Sequence, residues 1–174
     1  GSLLFLLTKV RLVYFYSKMK NAILFAFSTA SSAATIPVTL KTVEEELKVE
    51  KSVASFSVPL GATINMDGTA IMQGVATIFI ANAYGINLEI TDFISVIMVA
   101  TLASIGTAGV PGVGLIMLAM VLNQVGLPSE GIALIIGIDR LLDMTRTAVN
   151  VTGDAAISCV VANSEKKINY NYKE

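Results

Sequence analysis

"SIGTAGVPGVGLIM", residues 104–117, places Ser104, Thr107, four glycines and Pro111 inside one of the most apolar stretches of the chain. From Phe93 to Ser129 no residue is charged, a run of about 37, whereas one membrane-spanning helix takes about 20. The run is too long for one crossing and too short for two crossings joined by a polar loop. Its turn-forming residues, Gly106 to Gly114, lie at its middle. Two half-length helices meeting inside the bilayer fit this pattern, forming a hairpin that enters and returns to the same side.

Working outward, composition supports the membrane reading. Of 174 residues, 54% are hydrophobic and 14% charged, with a mean hydropathy of +0.72, whereas soluble domains carry charge on about a quarter of their residues. The lipid bilayer is therefore the principal solvent. A net charge of −1 leaves no basic footprint, so no nucleic-acid partner is expected. Without histidine there is no imidazole proton relay, and a lone Cys159 can form no internal disulfide. The chain opens at Gly1 with no signal-peptide layout. It reads as a fragment of a longer polytopic protein.

Charge placement orients the segments. Lys9, Arg11, Lys18 and Lys20 precede the first cluster of small residues, Lys41, Lys48 and Lys51 follow it, and Lys166, Lys167 and Lys173 close the chain. By the positive-inside tendency these segments are cytoplasmic. Glu89, Asp92 and Glu130, which flank the long apolar run, are then outside. A crossing over residues 53–84 and a return over 131–162 require the run between them to enter and leave on the outer side. The same logic makes residues 21–40 a re-entrant hairpin from the cytoplasm, with "STASSAATIP" at its tip. The predicted fold is an all-α membrane protein: two re-entrant helical hairpins and two transmembrane helices in an inverted repeat, one helix unwound at "NMDGT". Inverted repeats with broken elements mark secondary transporters, with the binding site near the midplane.

The polar residues inside the crossings carry the chemistry. At "NMDGT", Asn65 to Thr69, an unwound turn frees carbonyls that can coordinate a hard cation such as Na⁺ beside Asp67; the alternative is a kink around a satisfied aspartate. In "DRLLDMTRTAVNVTGD", residues 139–154, a helical repeat of about 100° per residue gathers Asp139, Asp143, Arg146, Asn150 and Asp154 into an arc of about 80°, with Thr147 at its edge. A buried arginine calls for an anion, and its planar fork suits a carboxylate. The alternative is that Arg146 pairs with Asp143 or Asp139 to hold helices together. Three acids against one arginine on that face leave negative charge for a cation, Na⁺ or an ammonium group. Ser31, Ser32, Thr35, Ser104, Gly106, Thr107 and Gly109 offer hydroxyls and backbone groups at half-helix ends.

Four ordered motifs, "SSAATIPVTL", "GATINMDGTA", "LASIGTAGVPGVGLIMLAMVL" and "DRLLDMTRTAVNVTGD", resemble the dicarboxylate/amino acid:cation symporter family, which includes the sodium-coupled glutamate and aspartate transporters. The resemblance covers residues 21–162 and only the C-terminal half of a family member. It implies residues 1–20 as the end of a preceding transmembrane helix with a cytoplasmic linker, and 21–162 as a partial transport domain. Within that domain fall hairpin 1 (21–47), a broken transmembrane helix (51–84), hairpin 2 (92–126) and the last transmembrane helix (129–162). Residues 163–174 form a cytoplasmic tail. Localisation is the cell membrane, multi-pass, and the full-length assembly a homotrimer.

The resemblance also implies roles. Ser32, the backbone around Val110 and Gly112, and Asn150 hold the substrate's main carboxylate. Asp143 takes its ammonium and Arg146 its side-chain carboxylate, with Thr69 and Thr147 nearby. One sodium site uses Asp154 with carbonyls of Gly61, Asn65 and Asn150; a second uses carbonyls of Thr63, Ser104, Ile105 and Thr107. A third uses Asn65 and Asp67 together with an element this chain lacks. Family members place a second arginine near the site, where this chain has Ala30 and Met144. Proton coupling stays open beside sodium.

The expected function is symport of acidic amino acids with sodium, with hairpin 2 as the outer gate, and not an enzymatic reaction. The alternatives are a C4-dicarboxylate or neutral amino acid symporter, or a truncated chain that transports nothing. An intramembrane aspartyl protease built on Asp67 and Asp154 is a reading from a different class.

Overall fold

The computed structural model describes residues 2–168, so the end of the predicted tail, including Lys173, lies outside the described residues. The elements are α1 (Ser2–Thr8), α2 (Leu12–Thr29), α3 (Ser32–Lys41), α4 (Lys51–Ile64), α5 (Asp67–Ala83), α6 (Ile90–Ser104), α7 (Val113–Gln124) and α8 (Asp139–Ser164). A π-helical turn, Thr42–Glu46, extends α3, and a 3-10 turn, Ser129–Leu134, precedes α8. There is no strand among the described residues, only an isolated bridge between Val49 and Ile168.

Local chemistry sets where the helices stop. Ala30, at φ 52°, ends α2 in the left-handed conformation, and the Ser31 hydroxyl then accepts the Ala34 N–H to start α3. Such a serine cap satisfies one of the donors that a helix start leaves unpaired. Asn65 (φ −107°, ψ 78°) and Met66 (φ −113°, ψ 54°) stand outside helical geometry between α4 and α5. Glu89 and Asp92 form a reciprocal capping box at the start of α6.

Several boundaries differ from the sequence reading. Helix α2 begins at Leu12, ahead of Asn21, and α8 begins at Asp139 rather than near 129. Among the described residues no single helix is long and apolar enough to cross a membrane. The physical reason differs by element. Helix α8 has 26 residues but carries Asp139, Arg140, Asp143, Arg146 and Asp154; α4 and α5 have 14 and 17 residues, below the ~20 needed.

Helix α8 is the axis of the packing and contacts α2, α4 and α5 most extensively. Its C-terminal half, through Val151, Ala155, Cys159 and Ala162, joins an apolar cluster with Phe15, Met19, Ala22, Ala26, Val43, Leu47 and Val58. A second cluster, Met72, Ala76, Ile80, Leu118, Leu122, Leu127 and Ile135, is flanked by Leu142 near the other end of α8. The polar residues of α8 lie between these two cores. At the open end of α2 and α3, Lys18 Nζ lies 2.7 Å from Glu46. That hydrogen bond, and then the opposite charge, hold the Glu46 carboxyl below its ordinary range and raise the Lys18 ammonium above its own.

Candidate substrate and cation site

The stripe expected from the helical repeat of α8 is buried: Asp139, Asp143, Arg146, Thr147, Asn150 and Asp154 are all shielded from solvent. Asp143 Oδ1 accepts from Arg146 Nε at 3.0 Å and Nη2 at 2.8 Å. Its Oδ2 accepts the Gly112 N–H at 2.8 Å. Gly112 is the N-cap of α7 at φ 82°, a conformation that glycine reaches without the penalty of a Cβ. The start of α7 therefore presents a backbone donor to a carboxylate, a natural anion position.

Arg146 is only partly satisfied by this arrangement. Its Nη1 is buried and has no hydrogen-bond partner among the described residues. The guanidinium lies against Gly114, where a Cβ would come within 1.4 Å of Nη1. An unmet charged donor in a buried site costs more than a neutral one, and such exceptions ask for a functional explanation.

Asn150 ties α8 to the start of α5. Its Oδ1 accepts the Gly68 N–H at 2.8 Å, and its Nδ2 donates to Thr69 Oγ1 at 3.2 Å. Ser32, Thr69, Val110, Asp143, Arg146, Thr147 and Asn150 line one cavity with about 20 Å³ of free space, about enough for one water. Of the residues expected to hold substrate, Gly112 alone is outside the lining, but its N–H reaches the Asp143 carboxylate.

The expected cation ligands divide into groups. Asn65 Nδ2 donates to Asp154 Oδ1 at 2.9 Å and approaches the Asn150 carbonyl at 3.5 Å. Gly61 packs so closely on Asp154 that a Cβ would lie 2.7 Å from Oδ1. Asp154, Gly61, Asn65 and Asn150 are thus drawn together. The Thr63 carbonyl accepts the Gly106 N–H at 2.9 Å, which brings the end of α4 to the turn after α6. Ser104 Oγ donates to the Thr101 carbonyl, Ile105 is the C-cap of α6, and Thr107 Oγ1 donates to the Ala103 carbonyl. Asp67 is exposed and faces a groove lined by residues of α1, α2 and α8 instead of the small cavity. Among the described residues no group of three Asp, Glu or Cys side chains could hold a metal ion. One carboxylate with amide and carbonyl oxygens is the donor set of a hard cation.

Two residues with a part in this geometry did not stand out in the sequence reading. Gly114 leaves the room that the guanidinium occupies, and its signal was the glycine spacing of the opening stretch. Gly68 lets α5 approach α8, since a Cβ there would meet the Arg146 carbonyl at 2.5 Å. Outside the cavity lining, Gln73 on α5 is fully buried with neither amide atom hydrogen bonded among the described residues. A lone glutamine within "AIMQGVATIFI" was its signal.

The profile of the Sodium:dicarboxylate symporter family matches residues 1–164. Excitatory amino acid transporter 3 of Mus musculus is 48% identical over 149 residues, covering 86% of this chain and 28% of that protein. An excitatory amino acid transporter of Caenorhabditis elegans is 44% identical over 170 residues, 92% of this chain and 34% of that protein. Excitatory amino acid transporter 2 of Homo sapiens is 46% identical over 151 residues, 87% of this chain and 26% of that protein. The chain thus spans about a third or less of the length of these relatives.

Proposed function

The chain belongs to the sodium:dicarboxylate symporter family, and from that membership we propose that the protein carrying it moves aspartate or glutamate across the cell membrane together with sodium. The family and the relatives named above are transporters, not enzymes. The aspartyl-protease reading falls with that, and the Asp154 carboxylate is bonded to the Asn65 amide instead of a second carboxyl.

The observation that carries the proposal is Arg146. A buried guanidinium with one satisfied edge and one unmet Nη1 is matched by a second carboxylate, which a neutral amino acid lacks. Asp143 beside it takes an ammonium group. Substrate binding then exchanges partners within one charge cluster: the ammonium replaces the guanidinium on Asp143, and the side-chain carboxylate engages Arg146. Ser32, Asn150 and the backbone at Val110 and Gly112 hold the main carboxylate, with Thr69 and Thr147 nearby. Sodium is held by Asp154 with carbonyls of Gly61, Asn65 and Asn150, and by a second set at Thr63, Ser104, Ile105 and Thr107. Asp67 and Asn65 serve a third position together with residues beyond this chain.

In this reading α2 with α3 and α6 with α7 are re-entrant hairpins, α4 with α5 is one crossing broken at "NMDGT", and α8 is the last crossing. The pairs repeat with inverted orientation, and the α6/α7 turn is the outer gate. Closing it with both ligand and ion in place makes each raise the other's affinity. The full-length protein forms a homotrimer in the bilayer. The family description favours a second reading, a C4-dicarboxylate as substrate; Asp143 weighs against it because a dicarboxylate has no ammonium to offer.

The test is radiolabelled aspartate uptake by the reconstituted full-length protein with and without an inward sodium gradient, with succinate as competitor. Uptake that follows the gradient is expected, and sodium-independent uptake overturns the mechanism. Asp154→Asn removes the one charged donor of the first sodium site. It is expected to raise the sodium concentration for half-maximal uptake by about tenfold or more, the share of one hydrogen bond to a charged group; an unchanged sodium dependence removes Asp154 from that role.

A further inference from the structure

The turn between α6 and α7 is fastened to the turn between α2 and α3 through a single carbonyl. Gly109 O accepts the Ser31 hydroxyl at 2.8 Å and the Ala33 N–H at 3.1 Å. Ser31 is 7% exposed, and its oxygen simultaneously accepts the Ala34 N–H at 3.1 Å as the cap of α3. One hydroxyl thus uses its proton on one turn and its lone pair on the other. Gly109 is tightly enclosed: a Cβ there would lie 3.1 Å from Ala33 N, Ala62 O and Ser32 Cβ, and those neighbours would have to give by a few tenths of an ångström. Gly106 N–H, bonded to the Thr63 carbonyl at 2.9 Å, fastens the same turn from its other side.

We propose that Ser31 is a positioning residue that latches the α6/α7 turn over the candidate site, so that its hydroxyl sets the fraction of protein in the closed state. The inference rests on the transport reading, since it gives the α6/α7 turn the role of a gate. All groups of the latch belong to the protein, so it acts on the closed state before ligand contributes. Residues Val110 and Gly112, directly beyond Gly109, move with it. The apparent affinity of a ligand that binds the closed state scales with the closed fraction. Loss of the latch therefore appears as weaker binding with the ligand contacts intact.

The distance between spin labels at Leu24→Cys on α2 and Ile116→Cys on α7 reads this equilibrium in the reconstituted full-length protein. Both positions are exposed, and the native Cys159 is buried. Ser31→Gly keeps most of the capping and removes the donor; Ser31→Thr keeps both functions. In sodium-free buffer without amino acid, Ser31→Gly is expected to raise the ratio of long to short distances about fivefold, the share of one hydrogen bond. Ser31→Thr is expected to match the parent protein. If Ser31→Gly does not fold, Ser31→Asp, which caps without donating, takes its place with the same expected direction.

An unchanged distance distribution in the donor-free variant overturns the latch, as does a Ser31→Thr protein as open as Ser31→Gly. The measurement needs no substrate. Failure of aspartate uptake with the distance shift intact overturns the transport reading and upholds the latch.

Discussion

Arg146→Ala abolishes sodium-driven aspartate uptake by the full-length protein and lowers aspartate affinity by more than about a hundredfold. That magnitude follows from the ~2–5 kcal/mol of binding lost when one partner of a buried, hydrogen-bonded charge pair between protein and ligand is truncated. Arg146 meets Asp143 through two hydrogen bonds at 2.8 and 3.0 Å and still holds an unmet Nη1. In the proposed exchange the substrate's ammonium takes the guanidinium's place on Asp143, and the guanidinium, whose Nη1 has no partner among the described residues, turns to the side-chain carboxylate. Truncation also leaves Asp143, among the described residues, with only the Gly112 N–H as partner, so part of the loss is folding stability. The double variant Asp143→Asn with Arg146→Ala separates the two effects. It restores thermal stability relative to the single variant, because no unpaired charge remains, while aspartate binding stays lost. Such non-additivity is the expected signature of two groups acting as one unit. Aspartate affinity unchanged in Arg146→Ala removes the assigned role.

Gly114→Ala tests the same site without altering any charge. The added methyl would sit 1.4 Å from Nη1, 2.2 Å from Cζ and 2.6 Å from Nη2 of Arg146, so the guanidinium must leave its place. Overpacking a buried position costs about 1–3 kcal/mol, and here it falls on the guanidinium proposed to bind the substrate. Aspartate affinity is expected to drop at least about tenfold, from the middle of that range, with the sodium dependence retained. Gly74 on α5, where an added Cβ would meet nothing within 4 Å, is the control: Gly74→Ala is expected to leave binding unchanged. Equal affinity in Gly114→Ala and the parent protein places the binding guanidinium elsewhere.

The two variants probe features that differed in how visible they were before folding. Asp143, Arg146, Asn150 and Asp154 share a face because of helical periodicity alone, and all four are buried together on α8. The partners of that face come from distant chain segments. The Gly112 N–H reaches Asp143 across 31 residues, Gly68 reaches Asn150 across 82, and Asn65 reaches Asp154 across 89. No local pattern specifies such pairs. The alternative that Arg146 simply pairs with Asp143 and the reading that it awaits a carboxylate were both open in the sequence. The structure contains the pair and leaves Nη1 of the guanidinium without a partner among the described residues, an arrangement with which both readings agree.

By itself, the sequence determined the helical class, the family and the polar face of α8, because composition, helical repeat and ordered motifs are properties of neighbouring residues. The helix limits at Leu12 and Asp139, the exposure of Asp67, the fit of the guanidinium against Gly114 and the Ser31–Gly109 link were decided only by tertiary structure. Each depends on how closely two elements far apart in the chain approach, and that distance is set by packing around α8.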